Sequence, residues 1–393
     1  LKKESPLVVG KIENGYFLTS DIHAFLKDTK EYFVLEDYEI CELREDALHF
    51  YQKDGIEIQK ENRIYEEEFV SSSKGDYEHY MLKEIMEESR IVSSLMNYYT
   101  SNDYEQLKRA IPDFSNYLRV QIIACGTAMH AGLIFQQFLE RYLSLETQVF
   151  LASEFRYQTL FLDKKVLTIF ISQSGETADT LKALQIAKEH GCDTFSIVNV
   201  FDSSISRISD YVLYTRCGEE VAVASTKAYV SQIFVACCLI QYLTKQKMDV
   251  SLPEKMRASY QEEIVKQLAK EMKDQEHVFF IGRGIDYALS QEASLKLKEV
   301  SYVHAESYAA GELKHGTISL IEEGTFVIGI ATEERLLEKT INNLMEVKAR
   351  GARVVLVIPH RLRRSFDFDY IIEVEDTDFL YQSILAILPL QLL

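Results

Sequence analysis

Six cysteines occur in this sequence, yet none forms a C-x-x-C pair, and Cys237-Cys238 lie within an apolar run. Their placement excludes a disulfide framework and a compact zinc site, and it reads as buried thiols of a reducing compartment. Long hydrophobic runs are missing too. The longest, Ile233 to Leu243, is interrupted by Gln241 and falls short of the ~18 residues that span a bilayer, so it is expected to be a core helix. With no membrane span and no signal pattern at its start, the chain is read as cytoplasmic. Glycine and proline are scarce, 16 and 5 in 393 residues, which excludes collagenous and low-complexity structure. Positive charge is in deficit, with 43 Lys and Arg against 61 Asp and Glu, a net charge of −18. Nucleic acid, whose binding rewards Lys and Arg with counterion release, is therefore not expected as a partner. A phosphate ligand stays open, because a local pocket rich in N–H groups can be electropositive beneath an acidic surface.

What is present is an ordinary globular composition, too long for one core, and two or three domains are expected. The chain opens on Leu1 and closes on Leu393 inside an apolar helical run, so further residues are expected beyond both ends. The first seventy residues alternate short apolar runs with turn signals. Leu48 to Tyr51, Lys53-Asp54-Gly55 and Ile56 to Ile58 read as a hairpin, in which Asp-Gly suits a type I′ turn. An acidic stretch, Glu66-Glu67-Glu68, and then Ser71-Ser72-Ser73-Lys74-Gly75 mark a junction.

From about residue 90 the pattern becomes long helices alternating with short β-branched strands, the signature of α/β layers around a parallel sheet. This pattern occurs twice. Val120 to Gly126 is echoed by Val278 to Gly284, and Leu167 to Ile171 by Phe326 to Ile330. Each second strand leads to a helix closing on glycine, Gly191 and Gly351, as an αL cap requires. Phe195 to Val198 then matches Val354 to Ile358, and Tyr211 to Tyr214 matches Tyr370 to Glu373. A constant offset of roughly 160 residues indicates two copies of one α/β fold.

Two segments carry candidate chemistry. Ser172-Gln173-Ser174-Gly175-Glu176-Thr177 sits between a buried strand and an amphipathic helix, the position of the ligand crevice in a parallel sheet. Hydroxyls, an amide and a close-approach glycine there make a neutral phosphate cradle at a helix N-terminus, although Ser/Thr capping alone explains the same residues. Without the Walker lysine it is not a nucleotide P-loop. Ala224-Ser225-Thr226-Lys227 is a second hydroxyl cluster or helix cap. Gly282-Arg283-Gly284 fails as a dinucleotide fingerprint, because Tyr287 occupies the third small position. Further on, Glu292, Lys296 and Glu299 share a helical face at i, i+4 and i+7, which fits a solvated ion-pair stripe or part of a site. His304-Ala305-Glu306 and Gly311-Glu312-Leu313-Lys314-His315-Gly316 follow, the glycines leaving a loop that can approach a ligand. Glu and His are a natural acid–base pair for moving a proton beside a carbonyl. A metal site from His304, Glu306 and His315 lacks compact ligand spacing.

Cys125-Gly126-Thr127, Ser172 to Thr177, Val223 to Lys227, Lys296 to Glu299 and Glu312 to Gly316, in this order, resemble the successive motifs of the glutamine–fructose-6-phosphate aminotransferase family. Lys74 to Ile85 is similar to that family's interdomain linker, and Ser5 to Gly10 with Ser20-Asp21 to the tail of its glutaminase domain. The resemblance implies an α/β protein of two tandem sugar isomerase domains, each a parallel sheet flanked by helices, after a β-rich remnant of a glutamine amidotransferase domain. The expected boundaries are 1–70 for the remnant, 71–95 for a linker, and 96–246 and 247–393 for the two isomerase domains.

It further implies that Ser172, Gln173, Ser174 and Thr177 hold the sugar phosphate, and that Cys125, Gly126, Thr127, Val223 and Ser225 line the sugar, with Glu220 near the same pocket. Glu299 would shuttle a proton between C1 and C2, Lys296 would support it, and His315 would open the sugar ring. The family's substrate and product are fructose 6-phosphate and glucosamine 6-phosphate, and it forms a homodimer whose site borrows a histidine from the partner. No metal or redox cofactor is expected, since the proton passes through an enol-type intermediate stabilised by polar groups. Ala128 stands where many relatives have Ser, and Thr317 where Pro is common. The family's N-terminal nucleophilic cysteine and tail lysine have no counterpart between Leu1 and Leu393, so glutamine hydrolysis is not expected of these residues alone. Two other readings fit the pattern: a deglycase of the same domain family, and a non-catalytic phosphosugar sensor.

Overall fold

A computed structural model describes all residues except 4–5, 14, 21, 45–46, 66–72 and 102–107, and it leaves the side chains of His23 and Ser101 undescribed. Ser5, Asp21, Glu66-Glu67-Glu68, Ser71 and Ser72, noted above as tail and junction, lie outside the described residues. The chain divides into two compact units, Leu1–Ser73 and Lys74–Leu393.

The first unit is built of antiparallel strands. Strands β1 (Val8–Ile12), β2 (Gly15–Thr19), β3 (Glu31–Val34) and β7 (Arg63–Ile64) form one sheet in the order β2-β1-β3-β7. Strands β4 (Ile40–Leu43), β5 (Leu48–Tyr51) and β6 (Glu57–Ile58) form another. The expected hairpin is present, with Phe50 opposite Ile58 and Tyr51 opposite Glu57. Its turn differs from the type I′ expectation. Gly55 N–H bonds to the Gln52 carbonyl and Gly55 alone takes a positive φ, +82°, so three residues close the loop as a type I turn followed by an αL glycine. Val9, Leu35 and Phe50 are buried together beneath it.

The second unit begins with helix α1 (Tyr80–Ser101). The stretch 71–95, expected as a linker, is thus helical from Tyr80 onward, and it buries Ile85, Ile91, Val92 and Leu95 in the main core. Two five-stranded parallel sheets follow. The first contains β8 (Arg119–Ala124), β9 (Glu146–Leu151), β10 (Val166–Ser172), β11 (Asp193–Val198) and β12 (Tyr211–Tyr214), in the order β9-β8-β10-β11-β12. The second contains β13 (His277–Gly282), β14 (His304–Ala309), β15 (Phe326–Ile330), β16 (Arg353–Pro359) and β17 (Tyr370–Val374), in the order β14-β13-β15-β16-β17. Strand for strand the order is the same, as the repeat predicts. Every residue of β10 and β15 is buried, which explains their continuous apolar runs: crossover helices cover both faces of a parallel sheet.

Helices α2 (Gly126–Leu143), α3 (Ala178–Glu189) and α4 (Lys227–Thr244) belong to the first sheet. Helix α5 (Glu262–Met272) precedes the second sheet, to which α6 (Ile285–Ser301), α7 (Leu337–Lys348) and α8 (Phe379–Leu392) belong. The expected αL caps are present, with Gly191 at φ +75° and Gly351 at +94°. Helix α4 is buried at every residue from Lys227 to Gln241, and α8 from Leu380 to Gln391; each is apolar all round because each is packed on all sides. Among the described residues no helix is long and apolar enough to cross a membrane. The cysteine expectation needs one correction: Cys192, Cys217, Cys237 and Cys238 are buried, but Cys41 and Cys125 are only half-buried. Burial pushes the Cys192 thiol up to about 11 and Cys217 up to about 12, so neither is a ready nucleophile.

In the first sheet, the first strand in chain order, β8, has the second and third strands, β9 and β10, on opposite sides. The chain therefore reverses direction across the sheet between β8 and β10. At such a switch point the loops leaving the two strands part, and a crevice opens at their C-terminal ends.

Candidate active site at the switch point of the first sheet

Strand β8 leads through Cys125 into Gly126 and Thr127 at the start of α2, and the loop leaving β10 is Gln173 to Thr177. Phe170 pairs with Ile123 in register, so both loops emerge side by side. Gly126 takes φ +53°, and a Cβ there would meet nothing within 4 Å, so the backbone borders open space. Cys125 precedes α2 in extended conformation and its side chain caps nothing.

The second loop is tied to itself. Ser172 Oγ lies 3.1 Å from Thr177 Oγ1, the Gly175 N–H donates to Ser172 Oγ at 3.0 Å, and the Glu176 N–H donates to Ser174 Oγ at 3.1 Å. Gly175 is required there. Its φ is +66°, and a Cβ would come within 2.0 Å of Ser203 Oγ. Glu176 turns away and accepts the Ser204 N–H at 2.7 Å. Thr177 precedes α3 without a side-chain cap bond, so the first-turn N–H groups of a twelve-residue helix face the loop together with hydroxyls, while the first-turn carboxylate of Asp179 pairs with Arg156 at 3.3 Å. This arrangement suits an anion.

The acid–base cluster joins the two repeats. Helices α2 and α6 pack together. From α6, Lys296 Nζ donates to Glu299 Oε2 at 2.6 Å and, across the helix interface, to Thr127 Oγ1 at 3.1 Å. Thr127 Oγ1 in turn donates to Glu292 Oε1 at 3.1 Å, and His130 Nδ1 donates to Glu292 Oε2 at 2.7 Å. The Glu292 and Lys296 side chains are 0% and 3% exposed, so the stripe is no solvated ion-pair face; only Glu299, at 35%, is open to an incoming molecule. The buried members hold one another, and the exposed carboxylate is held by Lys296.

A third segment leads into α4. Glu220 accepts from Ser225 Oγ at 2.7 Å and from the N–H groups of Thr226 and Ala228 at 2.9 and 3.1 Å, a helix cap in which the negative charge suits the dipole. Val223 at the loop's tip is fully exposed.

The structure thus brings Thr127, Lys296 and Glu299 together and sets Cys125 and Gly126 beside Ser172, Gln173, Ser174 and Thr177. It does not bring His315 to them by any hydrogen bond among the described residues: His315 is exposed at the end of the short turn Leu313–His315. His304 and Glu306 lie in edge strand β14, where His304 Nδ1 lies 3.2 Å from His277 Nδ1. With His315 on a separate turn, the triad weighed as a metal site is not assembled among the described residues. Gly284, at φ +59°, leaves room for Glu333, whose Oε1 would sit 2.6 Å from a Cβ there. A carboxylate thus occupies the place where a dinucleotide phosphate would approach. The sequence reading missed His130, although it lies one turn beyond Thr127 and on the same face of α2.

The SIS domain family matches residues 114–241 and 271–387, which are the two sheet-and-helix repeats, so the chain is a protein of two SIS domains. Over its whole length it is 40% identical to the isomerising glutamine–fructose-6-phosphate aminotransferase of Clostridium tetani, spanning 68% of that protein. It is also 40% identical to that of Fusobacterium nucleatum, spanning 67%. The C-terminal domain of glucosamine-fructose-6-phosphate aminotransferase from Francisella tularensis superposes with a TM-score of 0.75 at 34% identity, covering 81% of this chain and 95% of that one. The chain belongs to the isomerising glutamine–fructose-6-phosphate aminotransferase family.

Proposed function

We propose that this chain carries the isomerase chemistry that turns fructose 6-phosphate and glutamine-derived ammonia into glucosamine 6-phosphate, in a crevice assembled from both SIS domains. The observation that carries this reading is the Lys296–Glu299 pair at 2.6 Å, anchored through Thr127 to the loop beside the anion cradle. The phosphate sits against Ser172, Gln173, Ser174, Thr177 and the start of α3. Cys125, Gly126, Thr127, Val223 and Ser225 border the sugar, and Glu220 acts on it indirectly by shaping the Val223–Ser225 loop.

Ammonia condenses with the C2 ketone and water leaves, giving an imine. Glu299 then takes a proton from C1 and returns it to C2, while the electrons pass through an enol-type intermediate to leave an aldehyde at C1. Lys296 orients the carboxylate and offsets its charge. His315, exposed in its own chain, serves ring opening in the site of a partner subunit, which makes the working unit a homodimer. In the same reading residues 1–70 end a glutaminase domain, 71–95 join it to the isomerase, and the SIS domains span 96–246 and 247–393; the antiparallel sheets of the first unit support this.

In the whole enzyme, Glu299→Gln is expected to lower turnover by roughly 10²–10⁴-fold while fructose 6-phosphate binding, measured by calorimetry, stays within a few fold. Turnover within threefold of wild type would remove Glu299 from the proton transfer.

A further inference from the structure

Two acids of α1 reach the segment that leads into α4, and a third is buried next to them. Glu84 is buried, and its Oε1 accepts the N–H of Val221 at 2.6 Å and of Ala222 at 3.3 Å. Three residues on, Glu87 meets Lys227, the first residue of α4, at 3.4 Å. Four residues on from Glu84, Glu88 is buried beside Gln391, near the end of α8, and Gln391 Nε2 reaches the Thr226 carbonyl at 3.5 Å. Spacings of i, i+3 and i+4 put all three on one face of α1. Between the anchored points lie Val223, fully exposed, and Ser225.

Burying a carboxylate is costly unless hydrogen bonds compensate it, and the Val221 and Ala222 amides supply two. Burial still lifts the Glu84 carboxyl above its ordinary range, with the Val221 amide opposing that shift and the nearby Glu220 adding to it. The SIS domain match begins at residue 114, so α1 lies outside the matched region whose loop it holds. A surface helix needs no buried acid to pack, and apolar residues of similar volume would cover the same area. The acid is explained by the two amides it fixes.

We propose that Glu84 is a positioning residue for the sugar: it fixes the backbone at Val221 and Ala222, so that the exposed Val223–Ser225 tip is presented to the bound phosphosugar in one conformation. Glu87 secures the far end of the same segment through Lys227. This rests on the reading of the crevice as the fructose 6-phosphate site. A loop left free must be ordered when the sugar binds, so losing Glu84 weakens binding more than it slows the chemical step at Glu299.

The test is steady-state kinetics of the whole enzyme with Glu84→Asp, Glu84→Gln and Glu84→Leu. Gln keeps an acceptor at the Oε1 position. Asp keeps the charge but draws it back from the amides, and Leu removes the acceptor. The expected result is a KM for fructose 6-phosphate raised roughly five- to twentyfold in Asp and Leu, kcat within threefold, and KM within twofold of wild type in Gln. If the Leu variant does not fold, the Asp–Gln contrast decides alone. Equal KM values in Asp, Gln and wild type would overturn the proposal. So would a loss in Gln as large as in Asp, because a purely structural or purely charge-based role would not be rescued by the amide. A wild-type enzyme that fails to turn over fructose 6-phosphate would instead refute the assignment of the crevice.

Discussion

Glu292 and Lys296 are buried charges that pair along their own helix and are also tied to Thr127 and His130 of the first repeat, unlike the exposed ion pairs elsewhere on the molecule. Replacing Glu292 by Leu leaves the Lys296 ammonium and His130 in an apolar interface with one fewer acceptor. Such a broken buried pair is expected to cost ~3–5 kcal/mol, read as a lower denaturation midpoint. Glu292→Gln, which keeps one of the two acceptor oxygens for His130 or Thr127, is expected to lose clearly less. Equal losses in the two variants would mean that packing, not charge pairing, holds the cluster. At this scale Ser172, Thr177, Lys296 and Glu299 were legible in the sequence because their relations are local: a strand-to-loop junction, or one turn of one helix. The distant partners of Lys296 and Glu292 were not, because Thr127 and His130 lie more than a hundred residues away and meet them only when α2 packs on α6. Burial decided against the solvated stripe, and spacing alone carries no information on burial.

Among the elements, the junction of β10 with α3 is the most constrained. Gly175 occupies a left-handed conformation with Ser203 against the space a side chain would need. Gly175→Ala is therefore expected to distort the cradle and raise KM for fructose 6-phosphate about tenfold or more, with the strain confined to one loop. Phosphosugar titration followed by calorimetry checks this, and unchanged affinity would move the phosphate away from α3. Most strands and helices of the repeat were readable, since fully buried parallel strands appear as unbroken β-branched runs ended by loops. The pair β9 and β14 was not: both lie at sheet edges, and in β14 only Ala305 is buried, so His304, Glu306 and Ser307 mask the strand. Helix α1 was hidden differently, because its charged face points inward at Val221 and Lys227 and imitates the composition of a linker.

For the whole molecule, the two sheets share one strand order but not one chemistry. At the first switch point stand hydroxyls and free amides; at the equivalent place in the second repeat, Glu333 fills the space that Gly284 leaves. On the proposed reading the duplication yields an anion site in the first repeat, and the second repeat supplies Glu299 and Lys296 beside it. If His315 completes the site from a partner subunit, two inactive variants can rescue each other. Mixing Glu299→Gln with His315→Ala under subunit exchange is expected to restore about a quarter of wild-type activity. Half of the dimers are mixed, and one of their two sites has both residues intact. No recovery after verified exchange would place both residues in one chain.

In the proposed mechanism Glu299 moves a proton at C1 of a phosphosugar held in the crevice of the first sheet. Proton NMR of fructose 6-phosphate in heavy water with the whole enzyme tests it most directly, beside a Glu299→Gln control. With Glu299 as the base, the C1 proton signal is expected to be lost by exchange with the wild type and kept with the control. Exchange at equal rates in both would contradict it.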